Sequence, residues 1–330
     1  MSDRVMVIGD MHLSDSFKGS HKNYRESCIR LMALTLENVK KESPSKIVFL
    51  GDFIGSAEKN IRTRTFFVEV IHFLQELNDI TNNNVYMVLG NHDIGGSNIT
   101  DVNMLIELGL LKHVSYFDMV DKDVKGNDKL LARFHIIDYG AQRNVTLSMA
   151  EGDVSNVVLG HDDYAFTYNE ATHYGTDVIL SNMVEWEGVE LVLSGHIHKP
   201  STEIRKGRIG DKPCSIFFLG APSRPSDRYE DCWYVVFESA GDSVGYRAEN
   251  FGLWSVEEEF IEEEENLDGY DEESAELHHK EFRKLLKELT ESRLLKGSLK
   301  HQIEVFPGAT EEVRKEALGY LNKSIDVLSR

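Results

Sequence analysis

The chain has 330 residues, 41% of them apolar, enough for one large or two ordinary domains around a packed core. Its net charge is −20, but twelve Asp or Glu and no Lys or Arg fall between residues 257 and 276, so the other 310 residues carry only −8. That distribution excludes a uniformly basic nucleic-acid binder and leaves room for a local basic patch.

Three scattered cysteines, Cys28, Cys214 and Cys232, exclude a disulfide framework and a cysteine-rich zinc module, and fit a reducing compartment. No apolar segment of signal-peptide length precedes Val5, and no run approaches the roughly 18 residues of a membrane span. A soluble, cytoplasmic protein with no membrane partner is expected.

In chain order, Val5 to Ile8 reads as a buried strand ending at Gly9-Asp10. A helix is predicted over 24–41, where Cys28, Leu31, Met32, Thr35 and Val39 recur at three- and four-residue spacing. Ile47 to Leu50 then ends at Gly51-Asp52, and a helix over 61–78 carries Phe66, Phe67, Val70, Phe73, Leu74 and Leu77. Val85 to Leu89 leads into Gly90-Asn91-His92-Asp93. Strand–helix–strand–helix order implies a βαβαβ unit with a mainly parallel sheet. Val157 to Leu159 ends at Gly160-His161, and Leu191 to Leu193 at Ser194-Gly195-His196. Strands at 134–139, 215–219 and 232–237, joined by loops, predict a second, more antiparallel sheet packed on the first. A boundary falls near 255. The acidic run reads as a solvated linker over 256–273. A helix–strand–helix region over 274–330, with a strand at Gln302 to Phe306, is too small for independent stability and is expected to dock on something.

The chemistry concentrates at the ends of five strands: Asp10 and His12, Asp52, Asn91 and His92, His161, then His196 and His198. Strand carboxyl ends are where open α/β sheets build sites. Singly, an Asp after Gly is a turn residue and a His beside an apolar run is a core histidine; His113, His135, His173, His278 and His279 stay in that class. Jointly, five Gly-preceded blocks of carboxylate, amide and imidazole donors predict divalent ions such as Mn²⁺, Fe²⁺ or Zn²⁺. On extended backbone the pairs Asp10/His12 and His196/His198 would face one side about 7 Å apart. Two ions about 3.5–4 Å apart could share such pairs if a carboxylate bridges them, and Asp52 is the natural bridge.

The order Gly-Asp-x-His, Gly-Asp, Gly-Asn-His-Asp, Gly-His, Gly-His-x-His resembles the calcineurin-like metallophosphoesterase superfamily over residues 1–240. The resemblance implies an α/β four-layer α-β-β-α double sandwich over 1–255, followed by a small α+β extension. It implies one ion on Asp10, His12, Asp52 and His198 and another on Asp52, Asn91, His161 and His196. His92 would face the scissile phosphate and stabilise the transition state or protonate the leaving oxygen. Asp93 either orients His92 or ties down its own turn.

Asp10-Met11-His12-Leu13 further resembles the Asp-x-His-Leu-Gly block of Mre-eleven/SbcD nucleases, with Ser14 in place of Gly. Leu219-Gly220-Ala221-Pro222-Ser223-Arg224, followed by Glu230, resembles their Gly-Ser…Arg…Glu segment, from which Ala221 departs. That subfamily, which includes a tailed-phage recombination endonuclease subunit, implies a DNA exonuclease or endonuclease in recombination or break repair. It also implies two divalent ions, manganese before iron, zinc or magnesium, an SMC-like ATPase partner, and a cytoplasm that could be a phage-infected host's. Candidate phosphate contacts are Lys199, Arg205, Lys206, Arg208 and Lys212, with Arg224 and Arg228; the bland reading is an ordinary charged hairpin. Tyr164, Phe166 and Tyr168 either stack on bases or pack in the core. Helices 24–41 and 61–78 either form a homodimer surface or cover the sheet. The alternative function is a phosphodiesterase or phosphatase acting on small nucleotides.

Overall fold

The computed structural model describes residues 3–15, 24–55, 63–94, 100–121, 128–141, 145–167, 178–201, 203–222, 232–240 and 243–251. The acidic linker, the 274–330 region, Tyr168, Arg224 and Arg228 lie outside the described residues.

The first half is the expected βαβαβ unit. β1 (Arg4–Ile8), α1 (Tyr24–Glu42), β2 (Lys46–Phe49), α2 (Arg64–Thr81) and β3 (Val85–Met87) follow one another, with β1, β2 and β3 parallel neighbours. α2 runs three residues past its predicted end at residue 78. There Asn78 and Thr81 donate side-chain hydrogen bonds to the carbonyls of Leu74 and Leu77, both at 2.8 Å. Asn82, at φ 53°, then ends the helix.

α3 (Asp101–Glu107) leads to β4 (Tyr116–Asp121), β5 (Lys129–Ile137), β6 (Ser155–Gly160), the short β7 (Tyr164–Ala165) and β8 (Val178–Ile179), and β9 (Val189–Ser194). The hairpin β10 (Arg205–Ile209) and β11 (Lys212–Phe218) precedes β12 (Trp233–Ala240) and β13 (Ser243–Asn250). The strand orders are β13-β12-β1-β2-β3 and β10-β11-β9-β6-β5-β4.

Two expectations need correction. The second sheet is antiparallel only at its edges, because β5, β6, β9 and β11 pair in parallel. Parallel neighbours need a long crossover, usually a helix. Between β6 and β9 that crossover is built from the β7–β8 pair and two 3₁₀ turns, Leu180–Asn182 and Val184–Trp186, so no helical periodicity announces it. The strand at 232–237 belongs to the first sheet, where Glu238 to Tyr234 pair antiparallel with Arg4 to Ile8.

The continuous apolar runs reflect burial on both faces. Val5, Val7, Val48 and Leu50 meet Phe134, Ile136, Leu159, Leu193 and Phe237 between the sheets. Met6, Ile8, Ile47 and Phe49 meet α1 and α2 on the other side through Leu31, Phe66, Val70 and Leu74. These helices therefore use their apolar faces to cover the sheet. On the far face of the second sheet, Val158, Val192 and Phe218 pack on Tyr164, Phe166 and Trp186. Tyr164 and Phe166 are thus core residues. Among the described residues the outer layer there is the β7–β8 pair, loops and 3₁₀ turns, and the double sandwich stands. Each fully buried Val, Leu or Phe contributes about 1.5–3 kcal/mol, which holds the two sheets face to face. No described helix is long and apolar enough to cross a membrane.

Candidate metal centre

The loops after β1, β2, β3, β6 and β9 meet at one rim. The first two continue to pair beyond the sheet: His12 donates N–H to the Asp52 carbonyl at 2.8 Å, and Leu13 to that of Phe53 at 2.9 Å. Tyr24, at the start of α1, donates its hydroxyl to the His12 carbonyl at 2.8 Å and holds the first loop down.

His12, Asp52 and His196 take left-handed backbone, at φ 44°, 45° and 69°. Such strain in non-glycine residues persists only where surrounding structure over-determines it, and it concentrates at functional sites. It also overturns the extended geometry expected for the i, i+2 pairs. Asp10 and His12 stay together, whereas His196 and His198 diverge into separate clusters.

In the first cluster, ligand atoms of Asp10, His12, Asp52 and His198 all lie within 4.8 Å of one another. His12 Nε2 is 3.1 Å from His198 Nε2, which is 3.7 Å from Asp10 Oδ2. In the second, Asn91 Oδ1 lies 3.1 Å from His161 Nε2 and 3.2 Å from His196 Nδ1. Asp52 belongs to both: its Oδ2 is 3.3 Å from His161 Nε2, 3.8 Å from His12 Nε2 and 3.9 Å from His92 Nε2. Its other oxygen accepts the His92 N–H at 2.8 Å, and Asp10 Oδ2 accepts the His196 N–H at 2.9 Å. These backbone bonds lock both carboxylates.

The glycines of the motif are clearance for this convergence. A Cβ on Gly90 would sit 2.2 Å from Asp52 Oδ1, and one on Gly195 would sit 2.1 Å from Asp10 Oδ1. The glycine of one block thus makes room for the ligand of another.

Asp10 and Asp52 are fully buried carboxylates, an arrangement that demands compensating positive charge. Burial opposes ionisation of Asp52, but the His161 imidazole beside it prevails and holds its carboxyl well below the usual range. Burial likewise opposes protonation of His161, yet Asp52 and Asp10 prevail and push it up to about 10. His161 Nδ1 faces the Leu50 carbonyl at 2.6 Å, which can only accept, so the neutral ring presents Nε2 to the cluster. Buried carboxylates, an amide oxygen and imidazoles fit hard or borderline dications, without any thiolate.

His92 stands at the rim with 29% of its side chain exposed, its ring edge-on to His12 at 5.4 Å between centroids. Asp93 does not touch it. Its oxygens accept the N–H groups of Phe53 at 3.2 Å and Gly90 at 2.9 Å, so Asp93 staples the second loop to the third. Burial and the Asp52 charge together push its carboxyl well above the usual range. These are the contacts of the turn reading, in which Asp93 ties down backbone, and not those of a catalytic residue that orients His92.

The basic cluster expected after His198 is dispersed by strand direction. Lys199 is exposed beside His198. The Arg205 guanidinium lies 5.2 Å from the Phe218 ring centre. Lys206 is exposed on the edge strand opposite Ser215, and Arg208 donates to the Asp211 carbonyl at the hairpin turn. β11 runs parallel to β9, so Lys212 at its start lies roughly 20 Å of strand away from Phe218 at the metal end. Of the described candidates, Lys199 and Arg205 remain at the metal end.

Sequence reasoning missed the segment Asp138-Tyr139-Gly140 at the end of β5, which reaches the third and fourth loops and both histidines of the second cluster. An acid and an aromatic before a glycine at a strand's carboxyl end was the available signal.

A model of the calcineurin-like phosphoesterase family matches residues 3–200. No curated protein matches the chain. Among solved structures, a dimetal phosphatase from Danio rerio is similar over 76% of this chain and 96% of its own, at 11% identity and TM-score 0.45. A conserved uncharacterized protein from Streptococcus pneumoniae, itself a predicted phosphoesterase, is similar over 76% and 91%, at 14% identity and TM-score 0.31. Likenesses this distant carry no weight here; the family match spans well over half of the chain. The chain belongs to the calcineurin-like phosphoesterase family and is a metal-dependent phosphoesterase.

Proposed function

We propose that this protein is a two-ion phosphodiester hydrolase that cuts DNA, uses manganese in preference to iron, zinc or magnesium, and works with an SMC-like ATPase. The observation that supports two ions is the central place of Asp52 Oδ2, within 3.8 Å of His12 in one cluster and 3.3 Å of His161 in the other. Asp10, His12 and His198 would hold one ion, Asn91, His161 and His196 the other, with Asp52 between them. Bound dications supply charge neutralisation at the phosphoryl oxygens and lower the pKa of the attacking water.

The chain's own residues do the rest. His161 would hold an ion through Nε2 only as the neutral ring, without the proton that Asp52 and Asp10 keep on it. His92, fixed through its N–H to Asp52, offers its partly exposed imidazole to the leaving oxygen and donates the proton that the alkoxide needs. Asp93 keeps the two loops in register by accepting backbone N–H groups. Lys199 and Arg205 supply positive charge at the same end for flanking phosphates.

The DNA reading rests on Asp10-Met11-His12-Leu13 and the Leu219 to Arg224 segment, and the ATPase reading on the 274–330 region. One observation favours a smaller nucleotide substrate instead: Arg208 and Lys212 point away from the rim, which shortens the cationic track a duplex would follow.

A matrix of metal ions against oligonucleotides, cyclic nucleotides and bis-p-nitrophenyl phosphate separates the two. Manganese-dependent cleavage of linear or single-stranded DNA is expected, and vigorous small-nucleotide turnover with intact DNA would sink the nuclease reading. His92→Ala should lower kcat by about 10²–10⁴-fold while metal content stays at the parental level. A variant that cuts at the parental rate would remove the acid role.

A further inference from the structure

The segment at the end of β5 packs on both imidazoles of one cluster and is bonded to the chain close to its ligands. Tyr139 donates its N–H to the Leu89 carbonyl at 2.9 Å, and Asp138 Oδ1 accepts the Leu89 N–H at 2.9 Å, so this strand end is zipped to the chain two residues before Asn91. Gly140 donates its N–H to Asp162 Oδ2 at 3.0 Å, next to His161. Between these anchors the half-buried Tyr139 ring packs on two imidazoles: that of His196 at 5.5 Å and 45°, and that of His161 at 6.3 Å and 71°. Those two imidazoles are themselves 5.3 Å apart at 64°. The other cluster is braced differently, by the His12 and His198 rings set edge-on at 5.0 Å and by Tyr24 on the His12 carbonyl.

We propose that Tyr139 is a positioning residue that sets the ring orientations of His161 and His196, and thereby the affinity of the Asn91–His161–His196 cluster for its ion, and of that cluster alone. The inference rests on the two-ion reading above. An imidazole binds a metal well only when its lone pair is aimed, and an aromatic ring in tilted or edge contact restricts that aim without competing for the nitrogen. Loss of such a support lowers metal affinity by about 10–100-fold. The ring does this, so the phenol oxygen is dispensable.

The test is Mn²⁺ titration of the full chain, followed by calorimetry and electron paramagnetic resonance, with thermal unfolding alongside. Parental protein and Tyr139→Phe are expected to bind two ions and show an exchange-coupled pair. Tyr139→Ala is expected to bind one ion at parental affinity and the other at least about tenfold more weakly, with a six-line mononuclear signal. Should Tyr139→Ala not fold, Tyr139→Leu keeps the apolar bulk without the ring and is expected to show the same split. Two ions bound at parental affinity by the Ala or Leu variant overturn the proposal. So does equal weakening of both ions, which marks general loosening, and so does a Tyr139→Phe that behaves like Tyr139→Ala. A parental protein that binds a single ion overturns the two-ion reading itself, a failure distinguishable from the others because it shows before any substitution.

Discussion

The two ends of the sandwich satisfy their acids in opposite ways. At the amino end of the first sheet, acids meet permanent cations: Glu42 pairs with Arg247, Asp3 with Lys46, and Glu238 with Arg4 at 3.2 Å. At the carboxyl end, Asp10 and Asp52 meet imidazoles and backbone N–H groups. An arginine or lysine keeps its proton at neutral pH and so stays a counter-ion, which makes the first end purely structural. An imidazole can give up its proton and turn the same nitrogen into a ligand, so the second is chemistry in waiting. Cavity size does not mark this difference. A cavity of 560 Å³ lined by Asn156, Glu187, Glu190 and Lys212 sits at the amino ends of β6, β9 and β11, away from the converging donors.

The sharpest break in that contrast is Asp52→Asn, which removes the charge shared by both clusters. Turnover should fall by more than about 10³-fold and bound metal should drop below two equivalents by elemental analysis. A variant that keeps both ions would show that Asp52 does not bridge. Gly90→Ala comes next, because its Cβ would lie 2.2 Å from Asp52 Oδ1. Metal affinity should weaken by at least about 10–100-fold and the thermal midpoint should fall with it, because the Cβ would also lie 2.4 Å from the buried Asp52 backbone nitrogen.

The amino end predicts the reverse pattern, stability without activity. Burial disfavours the Glu42 carboxylate, but Arg247 and the Tyr234 hydroxyl, at 3.2 Å, prevail and hold its pKa below the ordinary 4.5. A depressed folded pKa contributes stability that is present above 4.5 and lost as pH falls through the folded value. Glu42→Gln should therefore cost about 1–2 kcal/mol at pH 7, discounted for the half-exposed Arg247, and flatten the acid limb of the unfolding curve below pH 4.5. Unchanged pH dependence in urea unfolding would remove that pairing from the stability account. The smallest effect separates the two ends of β11. Lys199→Ala should raise KM for an oligonucleotide severalfold, whereas Lys212→Ala should leave it at the parental value, and equal shifts would restore the continuous basic patch read from sequence.

The site was more legible than the sheets. Asp10, His12, Asp52, Asn91, His161, His196 and His198 could be read because each follows a glycine at the end of an apolar run, and metal chemistry restricts the residue types that can stand there. The second sheet was not, because its crossover contains no α-helix among the described residues, and β12 carries no local mark of pairing with β1. Arg208 and Lys212 looked like neighbours of His198 because chain distance was short. A hairpin that runs away from the rim and back converts short chain distance into a long spatial one.

Local pattern alone therefore specified which groups could hold ions, since donor chemistry and strand punctuation are properties of a few consecutive residues. Folding in three dimensions decided how those groups converge: through left-handed backbone at His12, Asp52 and His196, with Asp93 holding the backbone of another loop and Tyr139 joining the site. Those outcomes depend on left-handed turns and on contacts between residues up to 188 positions apart in the chain, as between His198 and Asp10, which no local window contains.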